Sequence, residues 1–122
     1  MTNEEYRELA LRTAPDATAL RNSITCEQLV LLLCAVGLPG ETGEVCEIVK
    51  KHVFHGHPWT EETRARLVKE LGDVEWYANL LRETIHTTPE YVHATNIAKL
   101  AARYPEGFFT TARSVNRAAG DE

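Results

Sequence analysis

The hydrophobic and polar positions along the chain repeat at helical spacing. Between residues 61 and 85, apolar side chains recur at steps of three and four, from Leu67 through Val74 to Ile85. Residues 26–36 are apolar nearly all round, which is typical of a helix in a core or at an interface. Since the sequence has no alternating strand pattern of useful length, we expect an all-α fold, a bundle of four or five helices.

Four threonines are placed to cap helices, because a threonine hydroxyl can accept a hydrogen bond from a backbone N–H in the first turn. They are Thr2, Thr25, Thr60 and Thr88. Thr2 is followed three residues later by Glu5, which is the pattern of a capping box and predicts a first helix that ends before Pro15. The other three threonines predict helices that begin at residues 26, 61 and 89.

Glycine and proline residues are expected to interrupt the apolar stretch. Gly37, Pro39 and Gly40 follow it directly, and proline suits the first turn of a helix because its missing N–H is not needed there. We therefore predict a separate helix from about Pro39 to about Phe54. Residues 52–59, which contain a further glycine and proline, are expected to form a loop.

The length of 122 residues predicts one domain. We expect a core that carries the sequence motifs over about residues 25–108, a peripheral N-terminal helix over residues 2–14 and a C-terminal tail over residues 109–122. Phe108 and Phe109 are expected to dock on the core, and the polar end of the tail is expected to fray.

The composition is that of an ordinary soluble globular protein, with 43% hydrophobic and 25% charged residues. The formal net charge of -5 argues against a nucleic-acid partner, which usually requires a basic face. No apolar run approaches the roughly 20 residues of a membrane span, and the acidic, polar N-terminus differs from a signal peptide. We expect a cytoplasmic protein without a membrane partner.

Two pairs of acidic residues have a spacing that suits a metal site. Glu44 and Glu47 are three residues apart in one predicted helix, and Glu70 and Asp73 are three residues apart in another. Residues at this spacing lie on one helix face, so the four carboxylates can face one point. A single pair is more often a solvated face. Two pairs without helix-spaced histidine favour Mg²⁺, with Mn²⁺ as a substitute, because these cations prefer oxygen ligands.

Three histidines, His52, His55 and His57, lie in the predicted loop. Zinc binding is disfavoured, because no further ligand accompanies them at a suitable spacing. Contact with the base or ribose of a substrate and a plain solvated loop both stay open as interpretations.

Three segments, GLPGETGEVCEIVKK, KELGDVEWYANLL and NIAKLAARYPEGF, resemble the MazG-like, all-α nucleoside triphosphate pyrophosphohydrolases. The resemblance runs from about Gly37 to Phe108. The family motif is ExxE, a variable spacer and ExxD, and its positions are filled by Glu44, Glu47, Glu70 and Asp73. The later N-x-x-K-L-x-x-R segment is also typical of the group and is matched by Asn96, Lys99 and Arg103.

The resemblance implies an enzyme that hydrolyses a nucleoside or deoxynucleoside triphosphate between its α and β phosphates, with Mg²⁺ as cofactor. The products would be a monophosphate and pyrophosphate. It further implies that the four motif acids hold the metal and that Glu44 or Glu47 orients the attacking water. Proteins of this family commonly form dimers or tetramers with active sites near subunit contacts, so we expect a homodimer or homotetramer.

Cationic and polar side chains near the acids are expected to bind the substrate. The candidates are Lys51, Lys99 and Arg103 for the outer phosphates, Asn96 for sugar or phosphate, and Tyr77 for stacking on the base. Surface solubility or core packing is the alternative for each. Glu41 is a candidate accessory residue, and the alternative is a solvated acid in the first turn of its helix, favoured by the helix dipole.

A non-enzymatic interpretation is also open. A helical dimerisation or interaction module would keep the acids as a vestigial or structural cation site. It predicts no turnover of any nucleotide with Mg²⁺ or Mn²⁺.

Overall fold

A computed structural model of the protein describes residues 1–116, and this range is helical without any strand. The helices are α1 (Asn3–Leu11), α2 (Ala17–Ser23), α3 (Cys26–His55), α4 (Glu61–Thr84), α5 (Pro89–Arg103) and α6 (Thr111–Val115). The all-α prediction is confirmed. The end of the predicted tail, residues 117–122, lies outside the described residues.

The four predicted threonine caps are all present. Each hydroxyl accepts a hydrogen bond from the backbone N–H three residues later, at 3.1–3.3 Å. At Thr2 the capping box is complete, since the side chain of Glu5 accepts in return from the backbone N–H of Thr2 at 2.6 Å. These local bonds satisfy N–H groups that a helix start leaves without a partner, so the starts of α1, α3, α4 and α5 follow from local sequence.

The second and third predicted helices are a single helix. Helix α3 runs without a break from Cys26 to His55 and includes Gly37, Pro39 and Gly40. The prediction of a separate helix that begins at Pro39 is therefore wrong. The following loop is also shorter than predicted, because α3 continues to His55 and the loop begins at Gly56.

Packing explains why α3 continues through Pro39. A proline inside a helix removes one backbone hydrogen bond and costs about 3 kcal/mol. Thr42 lies one turn later, and its hydroxyl donates to the carbonyl oxygens of Leu38 and Pro39, at 2.8 and 3.1 Å. The two buried residues of α3, Cys34 and Ile48, lie on opposite sides of Pro39 along the chain. Continuing the helix lets both of them pack in one interface, which offsets the local cost.

Two short helices, α2 and α6, lie in segments for which the sequence pattern predicted no helix. Helix α2 occupies the polar connection before α3, where Asp16 caps it by accepting from the N–H of Ala19 at 2.7 Å. Helix α6 lies in the tail and begins after Thr110. The expected docking of the tail aromatics is not seen, since Phe108 and Phe109 are both exposed, although Phe109 contacts the ring of Tyr104.

Helices α3 and α4 form the extensive helix–helix contact within residues 1–116. Residues 56–60 connect them, so the two helices run antiparallel. Gly56 ends α3 with a φ of 69°, a left-handed conformation that glycine adopts without a steric penalty. Cys34 is fully buried and Ile48 is 5% exposed. This helix pair is therefore the core of the chain and the scaffold on which functional side chains are placed.

The N-terminal half of α3 exposes a continuous apolar surface. Leu29, Leu32, Leu33 and Val36 recur at steps of three and four, and their exposed fractions range from 48% to 68%. We call these four residues the α3 apolar face. Covering these leucine and valine side chains is favourable, because removing apolar surface from water contributes about 25 cal/mol of free energy per Å².

Helix α3 is also long and apolar enough, by length and composition alone, to cross a membrane. This stretch corrects the expectation that no apolar run approaches the length of a membrane span. Core helices that are mostly buried meet the same criterion, but only 6% of this stretch is buried in the single chain. The same helix carries Glu41, Glu44 and Glu47, and carboxylates are costly in hydrocarbon. The absence of a membrane partner stays a prediction.

Candidate metal centre

Three carboxylates from two helices meet at the α3–α4 contact. Ligand oxygens of Glu41, Glu70 and Asp73 all lie within 4.8 Å of one another. Glu70 and Asp73 share a face of α4 because they are three residues apart, and Glu41 comes from the antiparallel α3. The structure thus brings together two of the four expected ligands and adds one that was expected only as an accessory. We call these three residues the acid cluster.

The chemistry of the acid cluster fits a hard divalent cation. All three ligands are carboxylate oxygens, and no histidine or cysteine belongs to the group, which favours Mg²⁺ or Mn²⁺ over zinc or iron. Glu41 and Glu70 are half-buried and Asp73 is exposed. Partial burial of neighbouring like charges is unfavourable unless a positive charge offsets it. The exposed side leaves room for waters and substrate oxygens, which Mg²⁺ usually retains as ligands.

The placement of Glu41 differs from the sequence-based interpretation. A first-turn position requires a helix that starts at Pro39, but α3 starts at Cys26. Glu41 is therefore an interior residue of a long helix, half-buried against α4. The signal was present in the sequence, because Glu41 and Glu44 have the same spacing as Glu44 and Glu47. Without the α4 contact, the pattern alone could not decide which pair faces inward.

The structure places Glu44 and Glu47 outside the acid cluster. Glu44 is exposed. Glu47 forms ion pairs with Lys50 and with Lys51, the latter at 3.1 Å between Oε1 and Nζ. The hydrogen bond from Lys50, followed by that from Lys51, holds the pKa of Glu47 below its usual range. Their roles as metal ligands and catalytic residues stay predictions, and Lys51 stays a predicted phosphate contact.

Gly37 and Tyr77 form a close approach between α3 and α4. A Cβ atom placed on Gly37 would lie 2.2 Å from Cε1 and 2.3 Å from Cζ of Tyr77. The half-buried ring of Tyr77 also contacts that of Trp76 edge to face, with centroids 4.8 Å apart. The structure thus places the ring of Tyr77 in the helix interface, and its predicted role in stacking on the base stays a prediction.

The expected substrate contacts of α5 lie apart from the acid cluster in the single chain. Asn96 and Lys99 line an open, mostly apolar cavity of about 430 Å³, together with Tyr91 and Ile85. Ile85 follows Asp73 by twelve residues, which is about 18 Å along a helix at 1.5 Å per residue. Arg103 is half-buried at the end of α5. The binding roles of these three α5 residues stay predictions.

The histidines at the end of α3 are arranged around the loop backbone. The Nδ1–H of His52 donates to the carbonyl oxygen of His57 at 2.8 Å, and the ring of His52 contacts that of Trp59 with centroids 5.0 Å apart. Within residues 1–116, the acid cluster is the group of three or more potential ligands close enough to hold a metal, and it contains no histidine. His52 therefore stabilises the loop that connects α3 to α4.

The chain is similar to one protein family and to one phage protein. The family model of the MazG nucleotide pyrophosphohydrolase domain matches residues 31–108. The Gene 37 protein of Mycobacterium phage L5 is 37% identical over 73 residues, which cover 59% of this chain and 64% of that protein. The chain thus spans less than two thirds of that relative. No solved structure matches the chain significantly.

Proposed function

This chain belongs to the MazG nucleotide pyrophosphohydrolase domain family, and we propose from that premise that it hydrolyses nucleoside or deoxynucleoside triphosphates to a monophosphate and pyrophosphate. The family supplies the reaction class, a nucleotide pyrophosphohydrolase. The proposal adds the triphosphate substrate, cleavage between the α and β phosphates, and dependence on Mg²⁺.

The observation that carries the proposal is the acid cluster. Glu41, Glu70 and Asp73 present oxygen ligands within 4.8 Å of one another at the helix contact. A nucleoside triphosphate is itself a polyanion, so carboxylates at this density would repel it unless a cation is held between them. When bound, Mg²⁺ would neutralise the phosphate charge and polarise the phosphoryl oxygens.

We assign Glu41, Glu70 and Asp73 as the residues that hold the ion. Glu44 projects from α3 three residues after Glu41, is exposed and meets solvent. It is therefore assigned to orient the attacking water, as one of the two predicted catalytic acids. Glu47 is assigned to fix Lys50 and Lys51, both of which it pairs with. This assignment leaves Lys51 near the substrate side as a phosphate contact.

The substrate contacts of α5 require a second chain in this proposal. Asn96, Lys99 and Arg103 lie on a helix that makes no extensive contact with α3 or α4 within residues 1–116. The α3 apolar face is exposed on the same chain. Because a twofold axis brings the same face of two copies together, homodimer formation through this face covers it and can bring α5 of one copy toward the other. We propose such a cytoplasmic homo-oligomer.

The proposed reaction is tested with a panel of canonical nucleoside and deoxynucleoside triphosphates. The purified protein is incubated with each substrate in Mg²⁺, in Mn²⁺ and in excess chelator, and pyrophosphate and orthophosphate are separated as products. Pyrophosphate release in either cation, and none in chelator, supports the proposal. Absence of turnover of every substrate supports the non-catalytic interaction module instead, and orthophosphate as the only inorganic product contradicts the reaction.

A further inference from the structure

We propose that Gly37 and Tyr77 are a positioning pair that sets the separation of α3 and α4 at the acid cluster and thereby its cation affinity. The inference rests on the proposed function in one respect, that the acid cluster binds a divalent cation. It goes beyond that function by assigning a role in cation affinity to two residues outside the acid cluster.

The packing of Tyr77 against Gly37 leaves no room for a side chain on Gly37. A Cβ atom there would lie 2.2, 2.3 and 2.7 Å from three ring carbons of Tyr77, far inside the ordinary contact distance of about 3.5–4.0 Å. The neighbouring ring of Trp76 packs edge to face against that of Tyr77, with centroids 4.8 Å apart. The backbone of α3 thus lies so close to the aromatic ring of α4 that only glycine fits there without a shift of one of the two.

This close approach is specific to one glycine of the helix pair. At Gly40, Gly43 and Gly72 a Cβ atom would meet nothing within 4 Å. Their absence of a side chain is therefore not required by packing, and alanine is the better helix former by about 1 kcal/mol. At Gly37, in contrast, the contact with α4 requires glycine although glycine is a poor helix former.

The pair lies one helical turn from the acid cluster on both helices. Gly37 precedes Glu41 by four residues on α3, and Asp73 precedes Tyr77 by four residues on the antiparallel α4. Four residues correspond to about 6 Å along each axis, and residues at this spacing share a face. A change in helix separation at the pair is therefore transmitted directly to the carboxylates, whose oxygens must converge to bind one small cation.

The test measures Mn²⁺ affinity by calorimetry on the full chain, at a temperature well below the unfolding midpoint of each variant. Gly37→Ala is expected to weaken Mn²⁺ binding about tenfold or more, in the range seen when residues supporting a metal site are changed. The matched control is Gly43→Ala, the same change in the same helix with no neighbouring atom, and it should bind Mn²⁺ as the unchanged protein does.

Two further variants separate positioning from other roles. Tyr77→Phe keeps the ring and should keep the affinity, so a loss there would mean that the hydroxyl acts directly and would overturn the proposal. In Gly37→Ala/Tyr77→Ala the added methyl group meets no ring, and the affinity should recover relative to Gly37→Ala. If Gly37→Ala alone fails to fold, the double variant is compared with the unchanged protein, and a loss of affinity as large as about tenfold would contradict the proposal. Equal affinity in Gly37→Ala and Gly43→Ala contradicts the positioning role, whereas no Mn²⁺ binding by the unchanged protein contradicts the cation site itself.

Discussion

The carboxylate of Glu41 lies within 4.8 Å of that of Glu70, although the two residues belong to different helices of an antiparallel pair. The two residues are far apart in the sequence, so they come close only when α3 packs against α4. In the structure Glu41, rather than Glu47, is the glutamate of α3 that belongs to the acid cluster.

The first prediction compares these two glutamates. Glu41→Gln removes a charged ligand from the acid cluster and should weaken Mn²⁺ binding about tenfold or more, with a matching loss of pyrophosphate release. Glu47→Gln removes a residue that pairs with two lysines outside the cluster, so the cation affinity should stay close to that of the unchanged protein. Calorimetry with Mn²⁺ measures both. A larger loss of Mn²⁺ affinity in Glu47→Gln than in Glu41→Gln would contradict this assignment and support Glu44 and Glu47, the pair predicted from the sequence, as the ligands of α3.

The second prediction concerns thermal stability. A cation that binds only the folded chain stabilises it by about 2.7 kcal/mol when present at a hundred times its dissociation constant. Mg²⁺ should therefore raise the unfolding midpoint, and chelator should reverse the rise. Glu70→Gln should show a higher midpoint than the unchanged protein in chelator, because repulsion within the acid cluster is relieved, and little further rise with Mg²⁺. An equal Mg²⁺-dependent rise in both proteins would place the cation elsewhere.

The local parts of the fold could be predicted from sequence, and the tertiary parts could not. Thr25 and Thr60 predict the starts of α3 and α4 because a cap depends on three or four neighbouring residues. Pro39 misled the prediction for the same reason, since its local preference is to start a helix. Only the burial of Cys34 and Ile48 on the two sides of it shows why α3 continues.

The site divides in the same way. Glu70 and Asp73 could be placed together from their spacing within one helix. The choice among Glu41, Glu44 and Glu47 could not, because it depends on how α3 is rotated against α4. The contact between Gly37 and Tyr77 shows which side of α3 faces α4. From the sequence, Gly37 was expected only to interrupt a helix.

The third prediction concerns the titration of Glu47. Hydrogen bonds from Lys50 and Lys51 hold its pKa below the usual range, which is near 4.3 for an unperturbed glutamate. Because the folded-state pKa is the lower one, the stabilisation from this group is present above the unfolded-state pKa and is lost as the pH falls through the folded-state pKa. Carboxyl NMR of Lys50→Ala should show a higher midpoint for Glu47 than in the unchanged protein. An unchanged midpoint would mean that the ion pair with Lys50 does not persist in solution.

The fourth prediction concerns assembly. Leu32→Glu places a charge in the α3 apolar face, where the leucine is 53% exposed. If this face joins two copies, the charge should be strongly unfavourable there and the molar mass from light scattering should fall to that of one chain, 13.7 kDa. Val68→Glu is the control, since that valine is 62% exposed on α4 outside the face. Equal masses for the unchanged protein and both variants would show that the face is not the interface.

A nucleotide pyrophosphohydrolase centre at the acid cluster is tested by the product balance of the unchanged protein and of Glu70→Gln with a nucleoside triphosphate and Mg²⁺. We expect equal amounts of monophosphate and pyrophosphate from the unchanged protein. We expect neither product from Glu70→Gln at comparable helicity, because an acid that holds the cation has been removed. Equal turnover by the two proteins, or diphosphate and orthophosphate as the products, would contradict a pyrophosphohydrolase centre built on the acid cluster.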